Sequence, residues 1–231
     1  MQDIADKQPE DILMNDKLIV KTFGGFSMTY NGKTISDQDN RSKKLWSILE
    51  YIIAFHDRNI SQSTIIDLIW NENSISNDPE NALKTALHRI RDIIGELRLP
   101  EKKVILHKRG TFSWNNGIPC EYDFEEFVSL YNKATVQDMS DEEKTELLMK
   151  GFEMYRGEFL PKYAAEDWAS TLATRYQSIY EKLVNELAML LTAQDRYNEV
   201  TDVCTKAAAI DPLDENINFY LVLGLYKSGN Q

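Results

Sequence analysis

The segment PENALKTALHRIRDIIG, residues 79–95, constrains the fold more than any other. At about 100° per residue, Leu83, Leu87, Ile90 and Ile94 fall on one narrow stripe, which predicts an amphipathic helix laid on a core. Pro79 suits the first turn, where a missing N–H costs nothing, and Gly95 suits the end. Burying that stripe fixes the opposite face, which carries Asn81, Thr85 and His88 at its centre, Lys84 and Arg91 on one margin and Arg89 on the other. Such a face offers hydrogen-bonding groups to base edges and cations to phosphates, as reading a DNA major groove requires. A solvated basic helix has the same composition, so this helix alone leaves both readings open. Asp92 is discordant, because its charge repels phosphate; it is expected towards the helix end, where a groove falls away.

The flanking residues supply the rest of a unit. LIVKTFGGFSMTYNGKTI alternates apolar and polar positions around Gly24-Gly25 and Asn31-Gly32 and predicts a small antiparallel sheet. Leu45, Trp46, Ile48, Leu49, Ile52 and Ile53 recur at helical spacing between Lys43 and Phe55, and His56 terminates that helix. Ser61 caps a second, short helix through Ile65, Ile66, Leu68 and Ile69, ending near Trp70, and NENSISND forms the loop to the third. Val104 to His107 and Phe112 to Trp114 then form a hairpin joined through Lys108-Arg109-Gly110-Thr111, with His107 at its flank. Placed after three helices, this hairpin is a wing with a cationic tip that reaches the DNA backbone and adjacent minor groove. Solvation of a charged turn is the plainer alternative. The order of strands, three helices and basic hairpin is what favours a winged helix.

A net charge of −11 argues against nucleic acid until it is resolved along the chain. Residues 1–16, an acidic tail expected to be flexible, carry one Lys and five Asp/Glu; residues 17–118 carry 15 Lys/Arg and 11 Asp/Glu; residues 119–231 carry 10 and 21. A mildly basic module therefore precedes a strongly acidic one, fitting either a half that meets DNA or mutual attraction of the two halves. No apolar run approaches a bilayer span and no secretion signal is present, which predicts a cytoplasmic protein with no membrane partner. Cys120 and Cys204 lack any ligand spacing and read as reduced bystanders.

The second half is helical throughout. Helices begin at Tyr122–Ala134, and Ser140 with Glu143 forms a capping box that opens another through Leu147, Leu148, Phe152 and Tyr155. Gly157 and Pro161 interrupt it. A long helix follows from Trp168 to Ala193 on Leu172, Tyr176, Ile179, Leu183, Leu187 and Leu190. Tyr197–Ile210, the break at Asp211-Pro212 and Glu215–Lys227 resemble adjoining helices of tetratricopeptide repeats, with a generic bundle as the alternative. The groove of such a stack, being acidic, suits a basic or apolar protein segment. The chain stops at KSGNQ, which reads as the turn after a repeat's first helix and suggests truncation; Phe219, Leu221, Val222 and Leu225 are expected to pack back or to seek another molecule.

The fold class is thus mainly α with small β elements: an N-terminal winged helix-turn-helix over 17–118 and an all-α, tetratricopeptide-like domain over 119–231. In this order, IVKTFGGFSMTYNG, RNISQSTIIDLIW, NALKTALHRIRDIIG, the RGT of the wing, YDFEEFVSLY, YRGEFLPKY, EDWAS and RYNEVTDVCTKAAAIDPLDE resemble the Streptomyces antibiotic regulatory proteins (SARPs) over about residues 18–231. These join a response-regulator-type winged helix to a bacterial transcriptional activator domain. The resemblance implies a transcription regulator, habitually an activator, that binds double-stranded DNA at promoter repeats and uses its helical domain for self-association, including a possible homodimer, or for contact with RNA polymerase. It implies base contacts by Thr85 and Arg89, phosphate contacts by Asn81, His88 and Arg91, and wing contacts by Arg109 and Thr111, beside the cations Lys84 and Lys108. His88 and Lys84 depart from the residue types usual in the family, and RGTFSWN replaces a wing that often has Gly-Tyr after the threonine.

An enzyme is not indicated: the three histidines, His56, His88 and His107, lie in separate elements, and no HExxH, P-loop, GxSxG or dinucleotide fingerprint occurs. No cofactor or metal is expected. A protein-interaction adaptor with a degenerate winged helix is the remaining alternative, and it accounts for the overall acidity.

Overall fold

The structure is a computed structural model that describes residues 17–39, 42–69, 78–101 and 103–229. The acidic tail, the expected helix end at Trp70, most of the loop before the third helix and the last two residues lie outside them. The chain opens with β1 (Leu18–Lys21), β2 (Ser27–Tyr30) and β3 (Lys33–Ser36), paired antiparallel in that order. Asn31 and Gly32, at φ 46° and 76°, form the two-residue turn of positive φ that matches the twist of β2 and β3. Alternation places Leu18, Val20, Met28, Tyr30 and Ile35 in the core. In this sheet one strand escaped the sequence reading. β7 (Cys120–Tyr122), following the wing, pairs parallel to β1 with Leu18 opposite Cys120 and Val20 opposite Tyr122, so the sheet is not purely antiparallel.

Helices α1 (Lys43–Ala54), α2 (Gln62–Ile69) and α3 (Pro79–Gly95) pack on one another beneath this sheet. A short strand β4 (Ile60–Ser61) precedes α2, and β5 (Ile105–Lys108) with β6 (Thr111–Trp114) makes the hairpin. β4 pairs with β6, giving a second sheet of order β4-β6-β5. The architecture is a winged helix.

The helical half continues with α4 (Asp123–Val136), α5 (Asp141–Met154), a 3₁₀ turn at Pro161–Tyr163, α6 (Asp167–Ala193), α7 (Tyr197–Ile210) and α8 (Glu215–Lys227). Successive helices pack against each other along the chain. The capping box at α5 is present: Ser140 Oγ accepts from the Glu143 N–H while the Glu143 carboxylate accepts from the Ser140 N–H. Gly224 seats α8 on α7 so closely that a Cβ there would lie 2.7 Å from Thr201 Oγ1 and 3.2 Å from its backbone N. The outer side of α8 is apolar as well. Leu221 half-packs back, while Phe219, Val222 and Tyr226 stay 62%, 67% and 69% exposed, with Leu225 also on the exposed side.

The two halves share one continuous apolar core. Phe23, just past β1, sits among Phe127, Tyr155, Phe159 and Tyr176, and its backbone bridges Phe159. At the head of α4, Asp123 accepts three hydrogen bonds, from Thr22 N (2.7 Å), Thr22 Oγ1 (2.6 Å) and Phe23 N (3.1 Å). Burial raises the Asp123 carboxyl above the usual carboxylate range, and these bonds pull it back. His56, just beyond α1, stacks on Tyr122 and lies 3.2 Å from the Glu125 carboxylate. Lys162 donates to both the carboxylate and the carbonyl of Asp37, at 2.9 and 2.6 Å, and Tyr163 donates to the Lys43 carbonyl. Beside that contact lies Glu50, buried on α1, both of its carboxylate oxygens without a hydrogen-bond partner among the described residues.

Candidate nucleic-acid interface

Helix α3 spans Pro79–Gly95, as its sequence predicts, with the Asp78 side chain capping it by accepting from the Asn81 N–H at 3.0 Å. Leu83, Leu87, Ile90 and Ile94 are 1–2% exposed. Asn81, Lys84, Thr85, His88, Arg89 and Arg91 are all exposed on the other side. The described residues leave that side uncovered by the chain's own fold: Lys84, Arg89 and Arg91 have no ion-pair partner among them. Two polar groups at the centre are already engaged. Thr85 Oγ1 donates to the Asn81 carbonyl at 3.0 Å, leaving its lone pairs and methyl group facing outward, and His88 Nδ1 lies 3.1 Å from Asp92 Oδ2. The discordant Asp92 is therefore one helical turn from His88 and joined to it, an i,i+4 relation visible in the sequence but not used there.

The wing is tighter than the sequence suggested. Lys108 and Thr111 pair across the strands, so the connection is the two-residue turn Arg109-Gly110, at φ 51° and 75°. Holding arginine rather than glycine or asparagine in the left-handed region costs roughly 1–2 kcal/mol, and it puts a cation at the extreme tip. Lys108 and Arg109 are exposed and lack ion-pair partners among the described residues. Thr111 is half-buried, and its hydroxyl donates to the Lys108 carbonyl at 2.7 Å, which braces the turn and leaves only lone pairs for a ligand. The tip is tied to the helical unit through the Gln62 N–H, which donates to the Gly110 carbonyl at 3.0 Å. Ser61 Oγ caps α2 by accepting from the Thr64 N–H. The wing tip thus meets the start of α2 by way of β4, a contact that a two-residue strand gave no periodicity to reveal. His107 stacks on Phe112 within the hairpin.

The helical half carries a match to a known domain family. Residues 122–231 match the bacterial transcriptional activator domain. That segment belongs to this domain family. The SARP-like resemblance read from the sequence is borne out. No curated protein matches the sequence. Among solved structures, the chain is similar to Mycobacterium tuberculosis EmbR in complex with a low affinity phosphopeptide, at a TM-score of 0.71 and 17% identity over 93% of this chain. It spans 56% of the length of that EmbR chain, and the likeness is one of fold. Helices α4 to α8 thus form the activator domain, fused to a winged helix that carries the basic face. Among the described residues no helix is long and apolar enough to cross a membrane, and no cluster of potential ligands is suited to a metal ion.

Proposed function

We propose that the chain is a cytoplasmic, sequence-specific DNA-binding transcription regulator of the SARP type, with residues 17–118 reading duplex DNA and residues 119–231 making protein contacts. The observation that carries this reading is that α3 and the wing tip together present five exposed cations, Lys84, Arg89, Arg91, Lys108 and Arg109, opposite a buried apolar stripe on α3 and at the extreme turn of the hairpin. In this reading α3 lies in the major groove, Thr85 and Arg89 face base edges, and Asn81, Lys84 and Arg91 face phosphates. Arg109 meets the narrow minor groove, and Lys108 and Thr111 support it. The activator domain contacts RNA polymerase or a second copy of the chain, and the habitual outcome is activation.

Selection of bound duplexes from a random pool at two ionic strengths tests this. A consensus should emerge, and log K should fall linearly with log salt, because phosphate contacts release counterions. Binding without a consensus refutes sequence-specific reading, and no salt-dependent duplex binding at all leaves the adaptor alternative.

A further inference from the structure

On the outward face of α3 the Asp92 carboxylate meets His88, a group of selectable tautomer, and the chemistry of that pair points to a base contact in place of the phosphate contact that the family resemblance implies for His88. We infer that Asp92 is a positioning residue that holds the proton of His88 on Nδ1, so that His88 presents a hydrogen-bond acceptor to the groove and reads a base carrying an amino group, cytosine N4 or adenine N6.

A carboxylate is acceptor-only, so at 3.1 Å from Asp92 Oδ2 the Nδ1 atom is the donor. Neutral imidazole carries a single N–H, which leaves the lone pair on Nε2. The His88 side chain is 77% exposed, and no described residue bonds Nε2. The ring stands on the face opposite the buried stripe, one turn from Thr85. Thr85 has likewise spent its hydroxyl proton on the Asn81 carbonyl. Thr85 and His88 thus present acceptors beside the Asn81 amide at the centre of the face, whereas the cationic donors stand at the margins on Lys84, Arg89 and Arg91. In the major groove only cytosine and adenine offer an amino donor to such a centre. Asp92 also becomes intelligible: its charge serves the ring beside it.

The inference rests on DNA binding, and its test separates the two. Asp92→Ala removes the acceptor that demands a proton on Nδ1, leaving the ring to the Nε2–H tautomer that free neutral imidazole prefers and turning the outward atom into a donor; Asp92→Asn, whose amide oxygen still accepts, should keep the wild-type tautomer. Duplex selection with the full-length Asp92→Ala chain at pH 8, above the range where imidazoles ordinarily titrate, should show cytosine, which offers only an amino donor, giving way to guanine or thymine at one position by roughly 3- to 10-fold, as expected for one hydrogen bond. His88→Ala should flatten preference at that position, and adding Asp92→Ala to it should change nothing further. Imidazole ¹⁵N NMR of the free protein should find the proton on Nδ1 in the wild type and in Asp92→Asn, and on Nε2 in Asp92→Ala. An unchanged base preference in Asp92→Ala with binding intact, or a wild-type proton on Nε2, overturns the inference while DNA binding stands. Loss of salt-dependent duplex binding in the wild type itself removes both.

Discussion

Replacing Glu50 with glutamine should make the protein more stable, increasingly so as pH rises. Glu50 is 1% exposed on α1, and neither carboxylate oxygen has a hydrogen-bond partner among the described residues. Burial above all, and then the neighbouring Asp37 carboxylate, push its carboxyl up to about 9, with Lys162 opposing. The folded protein therefore keeps a proton that the unfolded chain releases above its ordinary value of 4.5. Stability is greatest below that value, declines as pH climbs from it to about 9, and is flat beyond. Each pH unit in that window costs about 1.4 kcal/mol, so at pH 7 the carboxyl costs on the order of 3 kcal/mol, and the cost grows by about 4 kcal/mol between pH 5 and 8. Glutamine is nearly isosteric and does not titrate. Urea unfolding of wild type and Glu50→Gln at pH 5, 6, 7 and 8 measures the difference, which should be small at pH 5 and widen steadily in favour of the variant. Other titrating groups, Asp123 among them, are common to both proteins and cancel. A difference that stays constant across the series would refute the claim that this carboxyl is held protonated by burial.

Arg89→Ala should relax base preference at one position at a cost of roughly 1–3 kcal/mol, whereas Arg91→Ala should weaken all duplexes alike and reduce the salt slope by about one; equal, sequence-independent losses from both would contradict the roles assigned to them. Arg109→Asn should raise thermal stability slightly, by up to about 1 kcal/mol, because asparagine tolerates the left-handed turn better, and should weaken duplex binding in the same preparation. Asp123→Ala leaves three donors on Thr22 and Phe23, the two residues following β1, without an acceptor, so calorimetry should show a loss of about 2–4 kcal/mol. Glu215 and Lys227 lie at opposite ends of α8, so antiparallel pairing of its exposed stripe with a second copy sets unlike charges together; Phe219→Glu with Val222→Glu should then lower the sedimentation-measured mass at tens of micromolar, and a strictly monomeric wild type would sink that pairing.

The elements that sequence reasoning located best are those whose residues repeat a period. The stripe of α3, the bounds of α7 and α8 and the capping box of α5 follow from 3.6-residue spacing and local cap chemistry, and each stands where its residues put it. What escaped is short or non-local. β4 has two residues and β7 three, too few for alternation to register, and β7 pairs with β1 across about a hundred intervening residues. The junction around Phe23 was hidden for the same reason: its partners come from α4, α6 and the segment between α5 and α6. At the interface, residue types and faces were legible. Which protons were already spent, on Thr85, Thr111 and the His88–Asp92 pair, was not, because hydrogen-bond direction depends on atoms rather than on periodicity.

The parallel pairing of β7 with β1 and the Phe23–Phe159 bridge join the winged helix to the helical stack through backbone pairing. Under the proposed DNA-binding role, a body joined in this way would present its helical stack at one angle to the duplex. If two copies act side by side on one promoter, half a helical turn of inserted DNA, about five base pairs, would carry the second to the far side of the duplex, and a whole turn of about ten would bring it back. Activity plotted against spacer length should therefore oscillate rather than decay smoothly.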